Sequence, residues 1–190
     1  MRRQILFVQG GGEGTHEEWD NKLVDSLGRE LGPDYEIHYP RMPNEAEPEY
    51  APWKAALGEE LAKLNEGAIL VGHSIGGAIL ISALAADPPE IALGGVFLIA
   101  APFLGDGGWP SEDIKAQKDL GAALPQGIPI YLYHGSRDEI VPMAHCDLYA
   151  KAIPQAVTRH LKDRNHQLDD DLSEVARDIR SSPRGNVDST

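Results

Sequence analysis

The feature of this sequence that most restricts its fold is a regular alternation of short apolar runs with longer segments of helical period. In the longer segments apolar residues recur every three or four positions, as Trp19, Leu23, Leu27 and Leu31 do. Strands that alternate with helices along a chain form a parallel sheet covered by helices on both faces. The alternation therefore predicts an α/β fold, a three-layer α/β/α sandwich around a mostly parallel six-stranded sheet. The predicted strands are residues 4–9, 35–39, 68–72, 95–100, 128–134 and 156–161.

The length of the chain, 190 residues, predicts one domain. A chain of this size buries roughly 70% of its unfolded surface, which is enough for a self-sufficient core. No internal repeat or long linker interrupts the alternation of strands and helices. We therefore expect a single domain over residues 1–180 and a frayed tail over residues 181–190, where the sequence has no periodicity.

The net charge of the chain limits the classes of molecule that it is expected to bind. The chain carries 17 Lys and Arg residues against 30 Asp and Glu residues, which gives a formal net charge of −13. Such a protein repels nucleic acid phosphates and anionic lipid surfaces unless its cations cluster, and here the cations are scattered along the chain. The composition therefore predicts that neither nucleic acid nor a membrane is a partner.

Two local features bear on metal binding and location. The single cysteine, Cys146, excludes an internal disulfide and a zinc site made of several thiolates. The apolar run after Arg2 and Arg3 extends only from Ile5 to Val8, whereas a signal peptide needs an apolar stretch of about 7–15 residues. We therefore expect a soluble protein of the cytoplasm.

The strongest chemical signal is the pattern Gly-His-Ser-Ile-Gly over residues 72–76, a G-x-S-x-G motif. It lies between a predicted strand, residues 68–71, and a predicted helix, residues 75–86, so Ser74 occupies the sharp turn between them. Such a turn lifts the hydroxyl clear of the sheet, and the flanking glycines avoid collisions with the neighbouring strand and helix. Ser74 is therefore the predicted nucleophile. The alternative is a helix-capping serine in a glycine-rich turn.

A serine hydroxyl needs a general base to become a nucleophile, and that base needs a carboxylate to orient it. Ligands of a parallel sheet bind at the carboxyl ends of its strands, so both partners are expected directly after strands. His166 follows the last predicted strand and is the predicted base, with His16, after the first strand, as its rival. Asp138 follows the fifth strand and is the predicted acid, although the pattern leaves the neighbouring Glu139 open.

A glycine loop directly after the first strand, residues 10–14, supplies the fourth element of the predicted site. Backbone amides aimed at the substrate oxygen stabilise the oxyanion that forms during acyl transfer. We expect one amide from Ile75 and the other from Gly10 or Gly11, because glycine permits the dihedral angles that turn an amide toward the substrate. A dinucleotide-binding fingerprint is the alternative, but Thr15 stands where that fingerprint requires a third glycine.

Together, these elements resemble the α/β-hydrolase superfamily over residues 4–179. The chain order Ser74, Asp138, His166 is the order of the superfamily's catalytic triad. The resemblance implies a minimal α/β-hydrolase fold with strand order 2-1-3-4-5-6 and no cap domain. It also implies hydrolysis of ester or amide bonds by these three residues.

Within the superfamily, the chain is similar to the compact serine hydrolases of the retinoblastoma-binding-protein type. The shared features are the short length, the glycine loop leading to His16 and Trp19, the pair Met42-Pro43 and the helix-opening Trp53. One departure is Gln9, which stands where many esterases carry a histidine before the glycines. This departure concerns the shape of the oxyanion loop.

The leading hypothesis is a serine hydrolase that acts on a small acyl substrate through an acyl-enzyme, with no metal and no cofactor. A catalytically weak protein-binding module on the same scaffold is one alternative, and an acyltransferase using the same triad is another. A base with the ordinary histidine pKa of about 6.5 predicts activity that falls below about pH 6.

Overall fold

The computed structural model describes residues 2–114 and 119–182. Its strands form one six-stranded sheet in which all neighbours run parallel, in the spatial order 2-1-3-4-5-6. The strands are β1 (Arg3–Val8), β2 (Tyr35–His38), β3 (Ile69–His73), β4 (Gly95–Ile99), β5 (Ile130–Gly135) and β6 (Val157–Leu161). The helices are α1 (Asp20–Leu31), α2 (Tyr50–Leu61), α3 (Ser74–Ala86), α4 (Leu120–Ala123), α5 (Ala144–Ala152) and α6 (Ser173–Ser181). The predicted fold class and strand order are confirmed.

The sheet is buried on both faces, and the two faces belong to two different apolar cores. Along β1, Leu6 and Val8 pack with α2 and α3, whereas Ile5 and Phe7 pack with α1 and α6. This alternation follows from the period of two that a strand imposes on its side chains. Helices therefore lie on both sides of the sheet, as the continuous apolar strands predicted.

One prediction about the first helix is wrong. Trp19 was expected to continue the apolar stripe of Leu23 and Leu27, but half of its surface is exposed to solvent (50%). The reason is local geometry: Thr15–Trp19 forms a short π-helical turn, and regular α-helix begins only at Asp20. The buried place at the start of α1 is taken by Asp20, a carboxylate.

The sheet topology brings the predicted chemical residues to one edge. The chain moves from β1 outward to β2 and then back across β1 to β3, so the strand order reverses between β1 and β3. In parallel sheets, ligands bind at the carboxyl ends of the strands beside such a reversal. The glycine loop after β1 and the serine turn after β3 both lie there.

The remaining segments add no large element to this sandwich. The described residues contain no separate cap domain, and the irregular segment 101–127 includes four residues, 115–118, that lie outside them. The predicted tail begins at the last residue of α6, and residues 183–190 also lie outside the described part. None of the described helices combines the length and apolar character needed to cross a bilayer.

Candidate active site

Ser74 lies at the first residue of α3, directly after β3, in a conformation that few side chains adopt. Its φ angle is 51°, in the left-handed region. Strained backbone of this kind concentrates at functional sites and matches the turn of a nucleophilic serine. The turn is tight enough to need its glycines, since a Cβ on Gly76 would lie 1.9 Å from the carbonyl oxygen of Gln9. A Cβ on Gly72 would lie 2.6 Å from the Cα of Gly77.

The structure brings Ser74, His166 and Asp138 into one hydrogen-bonded chain. His166 Nε2 lies 3.1 Å from Ser74 Oγ, and His166 Nδ1 lies 2.8 Å from Asp138 Oδ2. A carboxylate oxygen can only accept, so Nδ1–H donates to Asp138 and leaves Nε2 as the acceptor for the serine hydroxyl. This arrangement lets Ser74 pass its proton to His166.

Contacts between the two loops after β5 and β6 hold His166 in place. Gly135, at the end of β5, lies so close to the β6 loop that a Cβ there would be 2.3 Å from the carbonyl oxygen of Arg164. The amide of Arg137 donates to that same carbonyl at 2.8 Å, and Ser136 Oγ accepts from the amide of Asp163 at 2.8 Å. The acid and the base are therefore carried on loops that are hydrogen-bonded to each other.

The Asp138 side chain is almost fully buried, with 1% of its surface exposed. Besides His166, it accepts hydrogen bonds from the amides of Ile140 and Val141, each at 2.9 Å. His134 Nε2 donates to the Val141 carbonyl oxygen at 2.7 Å and lies 3.2 Å from Asp138 Oδ2. Burial alone would raise the pKa of Asp138, but these hydrogen bonds hold it well below its usual range. Asp138 thus stays ionised at pH values where an ordinary aspartate begins to bind protons, while the neighbouring Glu139 is exposed.

The environment of His166 favours its neutral form. Burial lowers the pKa of His166 from its ordinary value, and the nearby His73 acts in the same direction. The hydrogen bond to Asp138 opposes both effects without reversing them. A lowered pKa keeps His166 unprotonated at pH values where a histidine with the ordinary pKa would bind a proton.

The two candidate loop amides of the oxyanion site differ in their partners. The amide of Gly10 donates to Asp20 Oδ2 at 2.7 Å, so it already has an acceptor within the protein. The amide of Gly11 has no acceptor among the residues that the structure describes. Gly11 also adjoins the serine turn, since a Cβ there would lie 2.9 Å from Ile75 Cγ2. The amide of Ile75, in the first turn of α3, has no helical partner.

Gln9, the residue that departs from the esterase pattern, has a structural role under the glycine loop. It is fully buried, and its amide nitrogen donates to Glu45 Oε2 at 2.6 Å while its oxygen accepts from the amide of Met42 at 3.0 Å. The backbone oxygen of Glu45 in turn accepts from the amide of Gly12 at 2.6 Å. Gln9 thereby ties the glycine loop to the segment that follows β2.

The other candidates from the sequence lie in different surroundings. His16, the rival base, stacks on Tyr39 with ring centroids 4.1 Å apart, and its Nε2 lies 3.1 Å from the Tyr39 carbonyl oxygen. Cys146 is buried, and burial raises the pKa of its thiol to about 12, which leaves the sulfur protonated and unreactive. Over the described ranges, no cluster of three or more His, Cys, Asp or Glu residues is placed to hold a metal ion.

Three residues beside the site were not singled out from the sequence. Asp20 and His73 form a buried pair next to the serine turn, and His134 Nε2 lies 3.2 Å from Asp138 Oδ2. Neither His73 nor His134 bonds to Ser74. The available signal for the two histidines was their place at the end of an apolar strand, and the neighbours of Asp20 in the sequence gave none.

The match to a protein family agrees with the fold described above. Residues 5–184 match the family model described as the alpha/beta hydrolase family. A search of curated proteins found no match to the chain.

Solved structures provide a second comparison. One similar structure is the esterase domain from a Rhodothermus marinus protein, with a TM-score of 0.66 and 21% identity over 94% of this chain and 85% of that one. Another is the meta-cleavage product hydrolase from Pseudomonas fluorescens IP01, with a TM-score of 0.68 and 13% identity over 94% and 88%. A third is alpha/beta hydrolase domain-containing protein 10 from mouse, with a TM-score of 0.64 and 20% identity over 94% and 88%. These TM-scores show a shared fold, and at such low identities the likeness concerns the fold alone.

Proposed function

The chain belongs to the alpha/beta hydrolase family, and we propose that it is a serine hydrolase that cleaves small carboxylic esters or amides through an acyl-enzyme. The observation that carries the proposal is the unbroken hydrogen-bonded chain from Ser74 through His166 to Asp138. It stands at the serine turn, where the strained φ of Ser74 presents the hydroxyl at the end of the sheet.

In the proposed mechanism, Ser74 Oγ attacks the carbonyl carbon of the substrate while its proton moves to His166 Nε2. Asp138 keeps the proton on Nδ1 and stabilises the imidazolium that forms. The imidazolium then gives its proton to the leaving alcohol or amine, and the acyl group stays on Ser74. A water molecule, deprotonated by His166, releases the acid and restores the serine.

The oxyanion of each tetrahedral intermediate needs donors that have no other partner. We assign these roles to the amides of Gly11 and Ile75, because the amide of Gly10 is held by Asp20. The first turn of α3 adds the positive end of the helix dipole at the same point. In one studied enzyme, removal of a single donor of this kind cost about 2.7–4 kcal/mol of transition-state stabilisation.

We further infer that the chain is of the retinoblastoma-binding-protein type within the family. The features that carried this resemblance contact each other beside the glycine loop. Trp53 is fully buried, and its Nε1 donates to the Pro43 carbonyl oxygen at 2.6 Å. The amide of the adjacent Met42 donates to Gln9. These contacts support the assignment because they place Met42, Pro43 and Trp53 beside the glycine loop.

The test is labelling of the purified protein with a fluorophosphonate probe, which reacts with activated serines. We expect the natural chain to label and the Ser74→Ala variant to remain unlabelled. Ser82→Ala is the matched control, since Ser82 lies on the same helix and donates only to the Ala78 carbonyl oxygen. A p-nitrophenyl ester series from acetate to dodecanoate then sizes the acyl pocket.

Other outcomes point elsewhere. If the natural chain neither labels nor hydrolyses any ester, the hydrolase proposal fails and a protein-binding role on the same scaffold becomes the working hypothesis. If it labels, and an added alcohol or amine captures the acyl group in preference to water, the protein is an acyltransferase that uses the same three residues.

A further inference from the structure

A second histidine–carboxylate pair lies directly beside the candidate triad, and the proposed mechanism does not use it. His73 Nδ1 lies 2.9 Å from Asp20 Oδ2, and the two side chains are 2% and 0% exposed. His73 comes immediately before the nucleophile, and Asp20 opens α1. Polar groups this deeply buried cost free energy unless each is fully paired.

The partners of His73 fix its protonation state. Its Nδ1 faces a carboxylate oxygen, and its Nε2 lies 3.2 Å from the backbone carbonyl oxygen of His166. Both partners are acceptors, so this geometry favours a proton on both ring nitrogens. Asp20 meanwhile accepts from three donors: His73, the amide of Gly10 at 2.7 Å, and Gln167 Nε2 at 3.3 Å. Three donors favour the ionised carboxylate, so the pair is an imidazolium and a carboxylate.

The pair connects three segments whose relative positions matter for the proposed catalysis. Asp20 holds the glycine loop through Gly10 and contacts Gln167, the residue after the base. His73 holds the backbone of the base itself through the carbonyl of His166. The serine turn is thereby hydrogen-bonded to the base loop by a contact that does not involve the hydroxyl of Ser74.

The charge of His73 also acts on the base. The rings of His73 and His166 lie with their centroids 4.9 Å apart. At such a separation inside a protein, a positive charge disfavours a second one.

We propose that Asp20 and His73 are positioning residues, and that the His73 imidazolium keeps His166 in its neutral, proton-accepting form as the pH falls. This inference deepens the proposed function and rests on it for its catalytic consequence.

The charged groups that face His166 come from three elements, and their effects are consistent with the geometry. Asp138, in the turn after β5, and Asp20, on α1, favour its protonated form, whereas burial and His73, at the end of β3, disfavour it. For His73, burial alone would lower its pKa, but Asp20, the His166 carbonyl and the more distant Asp138 raise it overall.

The first arm of the test does not depend on activity. Nitrogen-15 NMR of histidine-labelled protein reports the protonation of each imidazole across pH 5 to 9. We expect His73 to remain doubly protonated at pH values where His166 is already neutral. A His73 ring that becomes neutral at the ordinary histidine pKa, about 6.5, would overturn the proposal.

The second arm uses His73→Gln, which keeps an amide donor but removes the charge. By NMR we expect the pKa of His166 to rise by roughly one unit in this variant. The acid limb of kcat/KM should move to higher pH by the same amount. His160→Gln is the matched control, because His160 is an exposed histidine on β6 whose Nε2 lies 3.4 Å from Asp147 Oδ1. In that variant the pKa of His166 should stay unchanged.

The double variant Asp20→Asn/His73→Gln provides a folded comparison if the single change leaves Asp20 too poorly paired to fold. It removes both charges while keeping donors and acceptors, so the acid limb should lie between those of the natural chain and His73→Gln. An unchanged His166 pKa in both variants would overturn the electrostatic part. A chain that never labels at Ser74 would instead refute the proposed function, while the NMR arm still decides the charge of His73.

Discussion

At the residue scale, the carboxylate of Asp138 has more partners than its proposed task requires. It is hydrogen-bonded to His166 through Oδ2, but its Oδ1 also accepts from the amides of Ile140 and Val141, and His134 Nε2 lies 3.2 Å from Oδ2. The two amides hold the carboxylate through the oxygen that does not contact His166, and they help to keep it ionised. The consequence is that the base has one preferred tautomer at all pH values where the protein works.

Replacing this carboxylate by an amide of the same shape should therefore show what the negative charge of Asp138 contributes to activity. We expect Asp138→Asn to lower kcat/KM on the order of 10³- to 10⁴-fold, because the amide favours the wrong His166 tautomer and cannot stabilise its charged form. Steady-state ester hydrolysis measures this effect. Glu139→Gln, at the exposed neighbouring position, should stay within about twofold of the natural chain; an equal loss in both variants would contradict the assignment of the acid.

The lowered pKa of His166 predicts the pH profile of the natural chain. Burial is the main cause of that lowering, with His73 adding to it. The base must be unprotonated to accept the serine proton, so activity should persist to lower pH than an ordinary histidine allows. We expect the acid half-maximum of kcat/KM below about pH 6.5, the unperturbed value. A half-maximum above about pH 7 would mean that the Asp138 interaction outweighs burial.

Sequence reasoning reached the residues that follow strands and missed those that support them. Ser74, Asp138 and His166 were predictable because a motif or a strand end marks each one, and the geometry brings all three together. The pairing of Asp20 with His73 spans 53 residues of sequence. No local pattern encodes a contact at that separation, so it could be found only from the folded chain.

At the element scale, the loop after β6 is positioned by the loop after β5. The contact between them is backbone against backbone at Gly135, where a side chain has no room. A rigid contact of this kind transmits any displacement of one loop to the residue that the other carries. The distance between acid and base is thus set by the pairing of β5 with β6.

A methyl group at Gly135 should expose this dependence. We expect Gly135→Ala to lower kcat/KM by at least tenfold and to lower the melting temperature, because its Cβ would lie 2.3 Å from the Arg164 carbonyl oxygen. Gly58→Ala on α2 is the control, since a Cβ there meets nothing within 4 Å. That change should leave activity unaltered and stabilise the fold by about 0.4–1 kcal/mol. Equal activity in the two variants would show that the base loop tolerates movement.

The boundaries of elements were predictable where apolar periodicity is strong. Each of the six strands begins and ends within two residues of its predicted position. The four central strands are buried apolar runs, whereas the edge strands β2 and β6 are only partly buried and carry polar residues. The start of α1 was misjudged because the π-helical turn Thr15–Trp19 interrupts the helical period. An irregularity of one residue rotates the side chains before it relative to those after it. The spacing of apolar residues in a sequence does not show where such an irregularity occurs.

At the scale of the whole molecule, several buried carboxylates make stability depend on pH. Although burial opposes their charged forms, hydrogen bonds and neighbouring cations hold the pKa values of Asp20, Glu45 and Asp138 below their ordinary range. In the unfolded chain these groups bind protons first as the pH falls. The stability they contribute is therefore present above about pH 4 and is lost as the pH falls further.

Urea unfolding followed by circular dichroism should show this loss. We expect the free energy of unfolding to fall steeply between about pH 4 and pH 2, where these carboxylates bind protons in the unfolded chain before they do so in the folded one. Asp138→Asn should show a shallower fall, since it lacks one of the three carboxylates. A stability that stays level down to pH 3 would mean that these carboxylates titrate alike in the folded and unfolded chains.

The position of His166 beyond the last strand has a consequence for how the protein is made. Ser74 is synthesised 92 residues before its proposed base, His166, and β6 must join the sheet edge before His166 reaches the serine. A nascent chain on the ribosome therefore holds the proposed nucleophile without its proton acceptor. In the proposed mechanism, a prematurely terminated product that lacks β6 and His166 cannot hydrolyse a substrate.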